Sequence, residues 1–213
     1  MPIPNAPAWE PWLGLLQKVS LFRGISPDDL CRLLLQLSPT VQRYPAGDII
    51  LLSGQENASI RIVLEGSITA SKISPGGQTV TMAHMQPGGI FGDVLSGSST
   101  PSPVTVTAAA PCTVLALPYE RLMLPGCSDA AHCVLLRNLV EAISDKYFSL
   151  CRRVDLLILK SLRAKLCAWL LEQYHRAGCA MFSTPLTRAQ LAEYLNCERS
   201  ALSRELSRMQ AEG

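Results

Sequence analysis

The sequence predicts an α+β chain: an N-terminal antiparallel β-roll of the jelly-roll type, then one long helix, then a C-terminal helix-turn-helix. Three observations predict this order. Residues 40–118 hold short β-rich runs, separated by Gly, Pro, Ser and Asn at intervals of roughly 8–12 residues. Apolar residues recur three and four apart within residues 129–158, and residues 186–210 hold two short helical patterns around a tight turn. The predicted domains are therefore 1–128, 129–158 and 159–213.

Composition and charge agree with two domains and a basic C-terminal part. The chain has 213 residues, of which 48% are hydrophobic and 17% are charged, which is ordinary for a folded protein. Residues 1–151 carry nine Lys/Arg against eleven Asp/Glu, whereas residues 152–213 carry ten against six. Because phosphates attract cations, the excess of positive charge lies where a nucleic-acid partner would need it.

The sequence also indicates a cytoplasmic protein with no membrane partner. No apolar run approaches the roughly 20 residues that span a bilayer, and the N-terminal segment MPIPNAPAWEPW lacks the regions of a signal peptide. The eight cysteines form no C-x-x-C pair, which favours reduced structural thiols over a disulfide scaffold. We therefore expect a reducing compartment.

The first strong element is a helix that begins after Ser26 and runs to about Leu37. Ser26 is a suitable cap, Pro27 suits the first helical position, and Asp28 and Asp29 place acidic groups in the first turn. The roll follows with the β-rich runs TVQRYPAGDIILLSG, SIRIVLEGSITASKI, TVTMAHM and VTVTAAAPCTVLALP.

The long helix carries an apolar stripe that needs a partner surface. Its spacing is that of a coiled coil, so the stripe packs either on the roll of the same chain or on a second copy of the helix. We expect a homodimer, since two copies present two recognition helices to a two-fold site. The predicted interface residues are Leu136, Leu139, Ile143, Tyr147 and Leu150, continued by Val154 and Leu157. A further helix, 159–177, is predicted to end at Gly178.

The helix-turn-helix has a well-marked start and a buried seam. Thr187 and Gln190 have the spacing of a capping box, and Leu186 and Leu191 that of a hydrophobic staple. The residues expected to face each other across the two helices are small or apolar: Leu191, Ala192, Leu195, Leu202, Leu206 and Met209.

The outer face of the second helix carries the candidate contacts to double-stranded DNA. Because an α-helix has 3.6 residues per turn, arginines and serines of the second helix lie together on the side opposite the seam. Arg199 and Arg204 are the candidates for base contacts, because a guanidinium can bind guanine with two hydrogen bonds. The candidates for phosphate or secondary base contacts are Thr187, Arg188, Ser200 and Ser203. The alternative is an ordinary amphipathic hairpin with solvated arginines.

Five motifs, in this order, resemble the family of the cyclic-AMP receptor protein and the fumarate-nitrate reduction regulator (CRP/FNR). They are the turn Pro45-Ala46-Gly47 and the segments IRIVLEGSITA, QPGGIFGDV, VTVTAAAPCTVLAL and NCERSALSRELSRM. The resemblance implies a cyclic-nucleotide-binding-like sensor roll, a small-molecule effector, palindromic DNA and RNA polymerase as partners. It also implies a winged helix-turn-helix, although no wing follows before Gly213.

The resemblance implies a small-molecule effector, but the residues here do not favour cyclic AMP, because those that would hold its ribose and phosphate differ. Gly92 and Asp93 stand where the family has a glycine and a glutamate, and Ser102 stands where it has the phosphate-binding arginine. A desolvated phosphate without a cation is unfavourable. The glycines and serines of this loop either form a backbone nest for another anion or only permit tight turns.

Cofactor binding and catalysis have weaker support in the sequence. Haem is conceivable through His84 beside Met82 and Met85, or through His132, but such residues are more often structural. Cys127, His132 and Cys133 lack an evident fourth metal ligand, and no cysteine run suits an iron–sulfur cluster. No catalytic set is found, so we expect no enzyme. The competing interpretations are a ligand-binding module without DNA and a haem- or redox-sensing member of the same family.

Overall fold

A computed structural model describes residues 7–73, 77, 79–92, 101–123, 129–184 and 186–212. The chain forms two compact units, 1–143 and 144–213. The boundary falls inside helix α4 (Ala130–Ile158), which the sequence predicted as a segment of its own. The N-terminal part of α4 belongs with the first unit because Leu135 and Leu139 are buried in its core.

Short helices open the first unit and pack on the roll. Two 3-10 turns, Glu10–Trp12 and Ser20–Phe22, flank helix α1 (Leu13–Leu16). Helix α2 (Pro27–Leu37) begins as predicted: Ser26 Oγ accepts a hydrogen bond from the Asp29 N–H at 3.2 Å. The helix buries a leucine face made of Leu30, Leu33, Leu34 and Leu37.

The roll consists of two four-stranded antiparallel sheets, which confirms the predicted architecture. One sheet has the order β1-β8-β3-β6 and the other has the order β2-β7-β4-β5. The strands are β1 Thr40–Tyr44, β2 Ile49–Leu51, β3 Ser59–Glu65, β4 Ile68–Ile73, β5 Thr79–Met85, β6 Ile90–Phe91, β7 Thr105–Ala108 and β8 Cys112–Pro118.

Strands β3 and β8 separate two hydrophobic cores. Ile60, Ile62 and Leu64 face the helices, whereas Val63 and its partner Val114 face the other sheet. Gly66 connects β3 to β4 at a φ of 74°, and a Cβ there would lie 2.1 Å from the Pro111 carbonyl oxygen. Only glycine fits this close approach.

The second unit contains the rest of α4 and three further helices. Helix α5 (Leu162–Ala177) begins at Ser161, whose Oγ accepts from the Ala164 N–H at 3.1 Å, and it ends at Gly178 with a φ of 67°. Helices α6 (Arg188–Tyr194) and α7 (Arg199–Glu212) form the helix-turn-helix. None of the described helices combines the length and the apolar character that crossing a membrane would need.

Candidate functional site

The first helix of the helix-turn-helix is fixed by the predicted capping box. The Gln190 N–H donates to Thr187 Oγ1 at 3.3 Å, and the Thr187 N–H donates to Gln190 Oε1 at 2.9 Å. The Thr187 hydroxyl also donates to Gln190 Oε1 at 3.0 Å. Thr187 was a candidate DNA contact, but its polar groups are already engaged in the cap.

The turn between α6 and α7 depends on Asn196, which adopts a left-handed conformation with a φ of 51°. Asparagine is one of the few non-glycine residues that tolerate this region. The Cys197 N–H then donates to the Ala192 carbonyl at 2.9 Å, and Lys165 Nζ donates to the Leu195 carbonyl at 3.2 Å. These bonds hold the turn tightly against α5 and α6.

The seam between the two helices is apolar, as the sequence predicted. Leu195 and Leu202 are fully buried, and Ala192 is only 3% exposed. Leu206 and Met209 are half-buried against the same cluster, which also includes Leu156, Leu166, Trp169 and Leu191. Burying this side of α7 leaves the opposite side of the helix to the solvent.

The outer face of α7 carries the predicted arginines and serines. Arg199, Ser200 and Arg204 are exposed, and Ser203 is half-buried. Arg188 of α6 joins them, since its Nη1 donates to Ser203 Oγ at 3.3 Å. Arg204 Nε donates to the Ser200 carbonyl at 3.3 Å, which orients its side chain along the helix. Five of the six candidate DNA contacts therefore lie on one exposed surface, which we call the basic face.

The carboxylates of α7 are paired with other arginines. Glu205 lies 3.2 Å from Arg208 Nη1 and 3.8 Å from Arg163 Nη1, and Glu212 accepts two hydrogen bonds from Arg163. The Arg163 hydrogen bond lowers the pKa of Glu212. Among the described residues, no carboxylate pairs with Arg199 or Arg204. The positive charge of the basic face is thus not neutralised within the described part of the chain.

Two of the three candidate effector residues, Gly92 and Ser102, lie in the described part of the roll. Gly92 has a φ of 75°, and a Cβ there would lie 2.8 Å from both Asn57 Nδ2 and the Ser59 carbonyl oxygen. Ser102 is only 2% exposed, and its Oγ donates to the Val104 carbonyl at 2.8 Å and accepts from the Val104 N–H at 3.3 Å. Its hydroxyl is therefore committed within the loop. Asp93 lies outside the described residues.

Arg61 is a polar residue of the roll that sequence reasoning missed. Its side chain lies on the inner face of β3, where Nη1 donates to Asn57 Oδ1 and Tyr44 is a polar neighbour. Burial lowers the pKa of the Arg61 guanidinium, although the Tyr44 hydroxyl acts in the opposite direction. The signal was present in the sequence as a lone cation within the apolar run SIRIVLEG.

The apolar stripe of α4 divides into a packed and an exposed part. Leu139 is 3% exposed within the core of the first unit, and Ile143 packs against the same core. Tyr147 and Leu150 are both 62% exposed, and Val154 and Leu157 are also exposed. Leu139 is therefore not available on the surface of this chain. Leu136, another candidate interface residue, is half-buried.

The candidate cofactor residues are scattered. His84 is exposed on β5, with Nδ1 3.3 Å from Thr69 Oγ1, and Met82 is 49% exposed beside it. His132 is buried, and its Nε2 lies 2.8 Å from the Leu122 carbonyl oxygen. Within the described residues, no group of three or more His, Cys, Asp or Glu side chains is arranged to hold a metal ion. Cys127 lies outside those residues.

Two family models match different parts of the chain. The model of the cyclic nucleotide-binding domain matches residues 41–123, and the model of the Crp-like helix-turn-helix domain matches residues 164–213. The first match covers the roll from the second residue of β1, and the second covers all but the first two residues of α5 together with α6, α7 and the basic face.

Relatives and solved structures are similar to part or most of the chain. The chain is 30% identical over 111 residues to the potassium channel KOR2 of Oryza sativa, a match that covers 52% of this chain and 15% of the channel. The matched part of the chain thus spans about a seventh of that relative's length. The structure resembles the catabolite activator protein of Thermus thermophilus, with a TM-score of 0.59 and 23% identity over 91% of this chain and 88% of that one. It also resembles DNR from Pseudomonas aeruginosa, with a TM-score of 0.51 and 18% identity over 99% and 91% of the two chains.

Proposed function

The chain belongs to the CRP/FNR family of transcription regulators, and from this premise we propose that it binds palindromic DNA as a homodimer. An effector held by the roll changes the DNA affinity of the pair of helix-turn-helix segments. The observation that carries the proposal is the basic face of α7, where Arg199 and Arg204 are exposed and free of carboxylate partners among the described residues.

The contacts to DNA divide by chemistry. Arg199 and Arg204 read bases in the major groove, because a guanidinium offers two parallel N–H donors to guanine. Arg188, Ser200 and Ser203 bind phosphates or secondary base atoms beside them. Thr187 contributes mainly by fixing the start of α6, since its hydroxyl and N–H are used in the capping box.

The homodimer forms along the exposed part of α4. A stripe of large apolar side chains in contact with water is unfavourable, and a second copy of the helix would bury it. The residues that fit this role are Tyr147, Leu150, Val154 and Leu157. Of the predicted interface, Leu139 and Ile143 instead join α4 to the roll, so a change in the roll can reach the helix through them.

The regulatory mechanism is a shift between two populations of the dimer. An effector that binds one arrangement of the two α4 helices more tightly than the other selects a spacing of the recognition helices. Half-sites lie about 34 Å apart along B-DNA, so only one spacing fits a palindrome. Cyclic AMP is disfavoured as the effector, because Ser102 stands at the position of the family's phosphate-binding arginine and its hydroxyl is occupied. The bound dimer acts on RNA polymerase, as the family does.

Selection of duplexes from a random pool with the full chain tests this function. We expect enrichment of a palindrome, with an affinity that falls steeply as salt is raised because phosphate contacts release counterions. A chain that binds no duplex at low salt would be a ligand-binding module without a role on DNA. Sedimentation of the free chain tests the dimer separately.

A further inference from the structure

Arg61 lies between the two sheets of the roll. Arg61 pairs with Ala116 on β8 and with Phe91 on β6. Val63 lies two residues further along the same strand. Side chains two apart on a strand point to the same face, and Val63 and Phe91 both belong to the core between the sheets. The Arg61 side chain therefore enters the interior face of the roll, where its polar neighbours are Asn57 and Tyr44.

One end of the Arg61 guanidinium is already held. Nη1 donates to the Oδ1 of Asn57, a residue that is only 4% exposed. The amide of Asn57 is oriented by two further bonds, from Nδ2 to the Ser59 carbonyl at 2.8 Å and to the Gly92 carbonyl at 2.9 Å. The guanidinium is thus held by the uncharged side chain of Asn57, which also bonds the Gly92 carbonyl.

Among the described residues, the other edge of the guanidinium has no acceptor. Nε is buried, and no described residue accepts a hydrogen bond from Nε or Nη2. No described carboxylate pairs with Arg61, and Tyr44, its other polar neighbour, is an uncharged phenol at neutral pH; burial raises its pKa further. A half-buried cation that no described carboxylate compensates is unfavourable, and an anion on its buried edge would offset that cost.

We propose that the roll binds the oxyanion of a small molecule, a carboxylate or a phosphate, on the Nε–Nη2 edge of Arg61. This edge offers two parallel N–H donors, and that fork matches a planar carboxylate or two phosphate oxygens. The inference rests on the proposed function, since it names the chemical class of the effector. It places the cation on β3, whereas the resemblance would place it near Ser102, whose hydroxyl is occupied.

Thermal unfolding of the full chain with added anions tests the site. The probes are inorganic phosphate and acetate, each compared with chloride at equal ionic strength. A ligand that binds the folded state raises the midpoint as its concentration rises. We expect phosphate, acetate or both to raise the midpoint beyond chloride, and the more effective probe identifies the kind of oxyanion. If neither exceeds chloride, the inference is wrong.

Three variants assign the effect to Arg61. Arg61→Met should weaken anion binding by at least about tenfold, since a charge-assisted bidentate pair is lost. Arg61→Lys keeps the positive charge but lacks the two parallel N–H donors, so it should weaken anion binding less. It also provides the test if the methionine variant does not fold. Arg43→Met, at an exposed position on β1, is the matched control. An anion response that survives in both Arg61 variants contradicts the site.

Phosphate can also bind the basic face, so Arg204→Ala is measured with the same probes. An anion response that Arg204→Ala abolishes and Arg61→Met leaves intact would place the anion on the second unit and overturn the inference. Duplex binding by the Arg61 variants is measured in parallel. If they bind duplex normally but the anion response never involves Arg61, only this inference fails and the DNA-binding function stands.

Discussion

The guanidinium of Arg153 lies over the ring of Tyr194, with Cζ 5.2 Å from the ring centroid. Arg153 belongs to the long helix α4, and Tyr194 is the last residue of α6. The contact therefore joins the helix that carries the proposed dimer stripe to the helix that supports the basic face. In the proposed mechanism, a movement of α4 would reach the helix-turn-helix through this contact.

Replacing Tyr194 by leucine should loosen α6 against α4. A cation over an aromatic face contributes about 0.5–2 kcal/mol, depending on how far it is desolvated, and leucine cannot supply that attraction. We expect amide hydrogen exchange in α6 to accelerate correspondingly. Tyr194→Phe keeps the ring and should exchange like the parent, whereas Arg153→Met should behave like the leucine variant. Equal protection in all three variants would show that the contact adds nothing.

Removing Arg204 should relax the base preference of the chain. The loss of one bidentate contact to a base costs about 1–3 kcal/mol of discrimination at one position in each half-site. Arg204→Ala is compared with Arg208→Ala on the same helix, because Arg208 pairs with Glu205. The measurement is competition between single-base variants of a selected duplex. A preference unchanged by Arg204→Ala would remove this arginine from the base contacts.

The two parts of the α4 stripe should respond differently to substitution. Leu150 is 62% exposed, so Leu150→Lys should leave the fold intact and weaken the proposed homodimer in sedimentation. Leu139 is buried in the core of the first unit, so Leu139→Ala should lower the free energy of unfolding by about 2–5 kcal/mol. Leu171→Lys, at an exposed position on α5, is the control for added charge. A Leu150→Lys chain that sediments as the parent dimer would move the interface elsewhere.

Local patterns made several elements predictable from the sequence. The capping box of Thr187 and Gln190 and the stop at Gly178 depend on neighbours within a few residues, and the structure contains both. The β-roll was predictable because short β-rich runs are separated by turn-forming residues at regular intervals.

Other features depend on contacts between distant segments. The stripe of α4 has one spacing throughout, so the sequence could not show that Leu139 meets the roll while Leu150 meets solvent. The spacing does not reveal which surface lies opposite. For the same reason Ser102 and Thr187 looked available as ligands, although hydrogen bonds within their own loops occupy their hydroxyls. Arg61 was missed because its inward direction follows from the register of β3 with β8.

The C-terminal turn of α7 should lose its attachment to α5 in acid. Arg163 hydrogen-bonds the Glu212 carboxylate and lowers its pKa below the ordinary value of 4.5. A carboxyl whose folded pKa is lowered stabilises the fold at any pH above that ordinary value, and the contribution disappears as the pH falls through the lowered folded value.

Glu212→Gln should therefore destabilise the chain at neutral pH and match the parent at low pH. Both carboxylate and guanidinium are largely in water, so the difference should be small and should shrink with added salt. Chemical unfolding at several pH values measures it, with Glu198→Gln at an exposed position as the control. A Glu212→Gln difference that persists unchanged at low pH would show that the carboxylate charge is not its source.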